Sequence, residues 1–270
     1  CPRDGKKNAA YVDATCTVKN DRYAKNATHM LSYTWQYPIG TIICALTSFC
    51  ARRKLDVEST VAWICCFCIN QWRVQQEQKV SFEKFRDTFQ DRVQSIGKVA
   101  ALLSPWNDPL NLKRLWCCFE IHTAIHLEKV EWNALLPEDE LEKMKSCLGG
   151  QHDKPGSSIT GMAALSQGYS NIKIEDARAS YEEDRRNILK IIVENADIDN
   201  RDALVQACAK NNSRITKELQ DLIMVEAVEA AKTFRHDIPV RSQLANGWLL
   251  VTQGKFDDAL KFYDDAEKHV

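Results

Sequence analysis

What most narrows the choice of fold is an alternation of short apolar runs with longer segments whose apolar residues recur at helical spacing. HMLSY at 29–33 comes first. Pro38 then opens a helix predicted over 39 to about 51, because proline is tolerated where the first helical N–H has no partner to lose. VAWICCFCI at 61–69 is apolar on both alternating faces, as a central parallel strand would be. After a polar loop, Ser81 is placed to cap a helix over 82–96 that carries Phe82, Phe85, Phe89, Val93 and Ile96 along one side. Gly97 ends it, and VAALL at 99–103 is the next buried strand. SPWNDP turns the chain into an apolar helix through LWCCFEIHTAIH, residues 130–136 make a fourth strand, and Pro137 starts a helix over EDELEKMKSC. This order predicts an α/β fold, a parallel sheet with helices on both faces and right-handed crossovers.

Beyond it the pattern changes. Residues 149–170 are rich in Gly and Ser and read as loop, 171–175 as a short edge strand, 181–194 and 201–234 as helices of a connector. The last thirty residues read as two short helices. Gly254, Phe256, Ala259, Tyr263 and Ala266 fall at the Gly, aromatic, Ala, aromatic and Ala positions of a tetratricopeptide repeat, which this segment resembles. One such repeat cannot bury its own face, so the resemblance implies a longer array and a protein or peptide ligand for it. The alternative is an ordinary helical hairpin. The expected division is an extension at 1–27, the α/β domain at 28–195, the connector at 196–240 and the repeat at 241–270.

Composition limits the partners. With 270 residues, 44% hydrophobic content and seven Trp, the chain can supply a sizeable core. Its 36 basic and 37 acidic residues give a net charge of -1, so there is no overall basic field for nucleic acid or an anionic membrane. The longest strictly apolar run, 61–69, is too short to cross a bilayer, and the N-terminus has no apolar signal core. A soluble cytoplasmic protein is expected, and the Cys start and helical finish suggest a piece of a longer one. Of eleven cysteines, Cys44, Cys65, Cys66, Cys68, Cys117 and Cys118 sit in hydrophobic runs and read as reduced core thiols. On a strand Cys65 and Cys68 would face opposite ways, which argues against zinc. His122 and His126 lack a zinc-protease glutamate, so no metal or cofactor is expected. No phosphate-binding G-x-x-x-x-G-K-[ST] loop is present.

One carboxylate, Glu120, stands in the middle of the apolar helix LWCCFEIHTAIH. Burying an ionised carboxylate without a partner is costly, so it reaches water, finds a cation or becomes neutral. Trp116 is one turn away and would offer a flat stacking surface. Lys113 and Arg114 stand at the helix start, where the macrodipole disfavours cations. A bound phosphate or a nearby acid would offset that, although two solvated cations there cost only a few tenths of a kcal/mol each.

LSYTW, WICCFCINQ and LLSPWNDPLNLKRLWCCFEI, in this order, resemble the Toll/interleukin receptor (TIR) domain family and the related fungal heterokaryon-incompatibility domain. The resemblance covers about residues 28–130, and more loosely reaches about 195. It implies a flavodoxin-like fold, self-association, a role in innate-immunity-like signalling, and in many members hydrolysis of NAD to nicotinamide and ADP-ribose products. By the same resemblance Glu120 takes the place of the catalytic glutamate and Trp116 that of the preceding aromatic. Ser32, Thr34, Trp35, Asn70, Gln71 and Arg114 would bind substrate, NAD being a substrate rather than a cofactor. Cys65 stands where the related motif has Asp, and Thr34 where a basic residue often follows the tyrosine. The alternative is a non-catalytic adaptor or scaffold of the same fold, with Glu120 a surface acid or an ion-pair partner of Arg114.

Overall fold

The computed structural model describes residues 9–19, 24–70, 82–149, 169, 172–194 and 196–231, with 247, 250, 255, 257, 258 and 260–262 beyond them. Four strands form one sheet: β1 (His29–Ser32), β2 (Ala62–Trp63), β3 (Lys98–Leu102) and β4 (Glu131–Leu135). All pairs are parallel, in the order β2-β1-β3-β4. Met30 lies opposite both Trp63 and Val99, and Ala101 opposite both Ser32 and Ala134.

In chain order the helices are α1 (Tyr11–Lys19), α2 (Ile39–Arg53), α3 (Cys65–Cys68), α4 (Phe82–Ile96), α5 (Leu115–His126), α6 (Glu138–Gly149), α7 (Glu182–Val193) and α8 (Arg201–Ala231). The two-residue period of β3 divides the core. Val99, Ala101 and Leu103 join Met30 and Ala134 in a larger cluster with α4, α5, α7 and α8. Ala100 and Leu102 join Leu31 and Leu135 against Ile42, Ala45 and Phe49 of α2. The sheet is therefore covered on both faces, as the alternation predicts. Alanines at 100 and 101 let helices approach both sides of β3, while Leu115, Phe119 and Ile121 of α5 are fully buried, contributing about 1.5–3 kcal/mol each.

Helix ends follow local chemistry. Gly97 adopts φ 74° and its N–H bonds Val93 O at 2.9 Å, closing α4 in a conformation that suits glycine. At the start of α2, Pro38 serves as N-cap and its carbonyl accepts from Thr41 at 3.0 Å and Ile42 at 3.3 Å.

Three expectations are corrected. The run at 61–69 is not a central strand: β2 has two residues, lies at the sheet edge, and gives way to a helical turn in which Cys68 N bonds Ile64 O at 3.0 Å and Ile69 N bonds Cys65 O at 2.9 Å. One side of that turn meets α1, where the Tyr11 and Phe67 rings stand 5.4 Å apart, so a helix partly covers the run in place of the neighbouring strand that was expected, and its residues stay half-buried. Cys65 and Cys68 consequently share a side rather than facing apart. Third, the predicted edge strand at 171–175 is instead a 3-10 turn, Ile174–Asp176, whose first N–H is held by Asn212 Oδ1 of α8 at 3.0 Å.

The helix read as a connector packs on the α/β unit from its first turns. Leu204, Cys208, Ile215, Leu219 and Ile223 belong to the larger core cluster, and Glu226 accepts from Arg52 Nε at 3.0 Å and Arg53 at 2.9 Å on α2. Gln71, the Ser81 cap, most of the 149–170 loop and the repeat positions Gly254, Phe256, Ala259, Tyr263 and Ala266 lie outside the described residues. Eight cysteines, including all six of the apolar runs, are free thiols. Among the described residues no helix is long and apolar enough to cross a membrane.

Candidate functional site

β1 delivers Ser32, Tyr33, Thr34 and Trp35 to the carboxyl edge of the sheet, where parallel folds place their ligands. Across from them α5 begins. It has no side-chain cap; Arg114 is its N-cap residue, and the guanidinium turns back to donate NH1 to Tyr33 O at 3.1 Å and to lie 5.5 Å from the Trp35 ring. Tyr33 O also accepts from Cys117 Sγ at 3.2 Å, and the Tyr33 hydroxyl accepts from Cys65 Sγ at 3.4 Å. These contacts tie β1, α3 and α5 together around one tyrosine. Burial and the neighbouring thiols raise the Tyr33 pKa, and burial raises those of Cys65 and Cys117, so all three are neutral near pH 7.

Glu120 lies inside this junction. Its side chain is half-buried, but Oε2 is fully enclosed without a well-formed hydrogen bond, and the Ser32 hydroxyl, equally enclosed, lies close enough to favour the ionised form. Burial pushes the Glu120 pKa up to about 7, against the opposing pull of the Ser32 hydroxyl and the Arg114 charge. A carboxyl in this condition is poised to exchange a proton near neutrality. Among the described residues it makes no ion pair, so the alternative of a salt bridge to Arg114 is not what holds it.

Trp116 points elsewhere. Its indole is edge-on to Phe119 with ring centroids 6.2 Å apart, and it stands beside Asp184 of α7, whose carboxyl burial raises and the indole pulls down. Helical spacing makes Trp116 and Glu120 neighbours, but tertiary packing assigns the tryptophan to the α5–α7 seam.

Beside the junction is a hollow of about 610 Å³. Thr34, Trp35 and Arg114, three of the sequence-predicted binding residues, line it. Ser32, Asn70, Trp116 and Glu120 are not among its lining residues, and Arg114 is the residue common to the hollow and to the surroundings of Glu120. The wall that sequence reasoning missed comes from Asp176, Arg178 and Ser180. Arg178 pairs with Arg114 in a single parallel β-bridge: Arg178 N bonds Lys113 O at 2.9 Å, and Leu115 N bonds Arg178 O at 2.8 Å. No local signal announces that bridge, since its partners are sixty-four positions apart. Among the described residues no group of three or more His, Cys, Asp or Glu is arranged to hold a metal ion.

Comparison with protein-family models, curated proteins and solved structures finds no match for this chain. The geometry and the sequence motifs therefore carry the functional reading.

Proposed function

We propose that the chain is a TIR-like signalling module of flavodoxin-like type, continued by a tetratricopeptide-like segment, that cleaves NAD to nicotinamide and an ADP-ribose product when copies self-associate in the cytoplasm. The enclosed Oε2 of Glu120, without a well-formed hydrogen bond and beside Ser32 at the carboxyl edge of the sheet, is the observation that carries this reading. In NAD the nicotinamide is a pyridinium. Breaking its bond to ribose C1′ returns the electron pair to the ring nitrogen, releases neutral nicotinamide and transfers the positive charge to the ribose. An ionised Glu120 would stabilise that cation electrostatically or through the ribose hydroxyls, and water completes the hydrolysis. Because the carboxyl titrates near 7, the rate should rise with pH through neutrality.

The test is nicotinamide release by the purified chain, artificially clustered, against Glu120→Ala under the same conditions. Loss of release in the variant is expected; equal rates would remove the enzyme.

A second reading, an adaptor acting by protein contact alone, is favoured by a different observation. Trp35, Ile39 and Ile43 are 59%, 54% and 57% exposed, and the two isoleucines are one turn apart on α2. An apolar strip of that kind suits assembly with a like domain whether or not Glu120 is catalytic.

A further inference from the structure

The hollow that shares Arg114 with the surroundings of Glu120 carries more positive charge than its own contacts use. Lys113, Arg114 and Arg178 line it, with Asp176 the one acid on the wall. Asp176 is engaged by Arg201 at 2.5 Å, and Lys113 by Asp108 at 2.5 Å. That leaves two guanidiniums. Arg114 makes no ion pair: it has a backbone carbonyl, an indole face and, at longer range, the Glu120 carboxyl, which is only partly ionised near pH 7. Arg178 has no side-chain partner among the described residues.

Their placement is unfavourable as it stands. Residues opposite each other in a parallel bridge project to the same side, and like charges there repel. Both also sit at the amino end of α5, where the helix dipole adds to the repulsion. One anion between them would relieve both terms. A guanidinium pair presents parallel N–H donors that match phosphate oxygens, and phosphate is the common small-molecule group with enough charge to use them. The hollow has the volume of a small-ligand site, and the half-exposed Trp35 supplies an aromatic wall beside the cations.

We infer that Arg178 and Arg114, fixed side by side by the bridge between residues 113–115 and 178, form a clamp for the phosphate groups of a nucleotide-like ligand in this hollow. The inference deepens the NAD reading by naming where the ligand's pyrophosphate would rest, and it draws on that reading only for the choice of ADP-ribose as a probe.

The experiment is calorimetric titration of the full chain with inorganic pyrophosphate, ADP-ribose and adenosine, at low and high salt. Both anions should bind, more weakly as salt rises, and adenosine at least roughly tenfold more weakly than ADP-ribose. Arg178→Ala and Arg114→Ala should each weaken both anions roughly tenfold or more. Arg178→Lys, which keeps the charge and the backbone bridge, should recover part of the affinity. Arg186→Ala, removing an exposed cation engaged with Asp199, should change nothing. Absence of pyrophosphate and ADP-ribose binding, binding indifferent to Arg178→Ala, or equal losses in the Ala and Lys variants would overturn the clamp. Nicotinamide release separates it from the enzyme reading. Arg178-dependent anion binding without any release keeps the clamp and discards the hydrolase; release with kcat and KM unchanged in Arg178→Ala keeps the hydrolase and discards the clamp.

Discussion

Replacing Glu120 by Gln keeps the shape of the side chain and removes its charge, so the variant reads what enclosure of that carboxyl costs. The native carboxyl titrates at about 7 against an ordinary value of 4.5. Because the native value is raised, the folded protein holds the proton more tightly than the unfolded one. Stability from this group is fully present below the unfolded value and is lost as pH rises through about 7. The full penalty on the ionised native state is roughly 3 kcal/mol, an upper bound because part of the side chain retains contact with water. Most of this, roughly 2–3 kcal/mol, develops between about pH 5 and about pH 8. Glu120→Gln should therefore be nearly as stable as the parent at about pH 5 and more stable by up to that amount at about pH 8, while nicotinamide release is lost. Urea denaturation of both proteins at the two pH values measures it. A variant less stable than the parent at the higher pH would show that the carboxylate is held by a favourable partner, and a difference that does not change with pH would show that its pKa is not raised in the folded protein; either would refute the reasoning.

Burial, with the His126 and Arg214 charges beside it, lowers the His122 pKa to about 4 from 6.5, so the unfolded chain takes up the proton first as pH falls; stability should drop by roughly 2 kcal/mol between about pH 7 and about pH 4.5. His122→Gln should flatten that limb in urea titrations at the same pH values. Glu226 is 2% exposed and answers two arginines of α2, so Glu226→Ala takes the carboxylate from both, leaving Arg52 only the Ser48 hydroxyl, and should cost about 2–3 kcal/mol by urea denaturation. At Gly97 an added Cβ would meet nothing nearer than Gln94 O at 3.9 Å, leaving the positive φ as the whole cost. Gly97→Ala should destabilise by about 1 kcal/mol, with α4 intact by circular dichroism.

The alternation of apolar runs places three of the four strands, β1, β3 and β4, to within a residue or two, because a parallel strand and its return helix each leave their own period in the chain. The same signal failed at VAWICCFCI. A continuous apolar run has no period to read, and here it ends up half-buried against α1 rather than enclosed between strands. Nothing in 1–27 pointed to a helix that docks on that turn. At the site, residues carried in on β1 and α5 were found from their neighbourhood in sequence, and Thr34, Trp35 and Arg114 do share a hollow. Arg178 was invisible for the opposite reason: it reaches the hollow by a tertiary bridge between segments with no common pattern.

Cys65 looked in the sequence like a lost polar group, since the related motif has Asp at that position. Its thiol lies close enough to Glu120 for the carboxylate to raise its pKa, so an aspartate in the same place would set two carboxyls against each other. Like charges in a shared enclosure drive one pKa further upward, and Glu120, raised to about 7 by burial against the pull of Ser32 and Arg114, would then be largely protonated at neutral pH. A neutral thiol donating to the Tyr33 hydroxyl avoids that. The exchange of Asp for Cys therefore leaves Glu120 able to ionise in the range where an N-glycosidic cleavage needs a carboxylate, and the departure from the motif is compatible with catalysis on physical grounds.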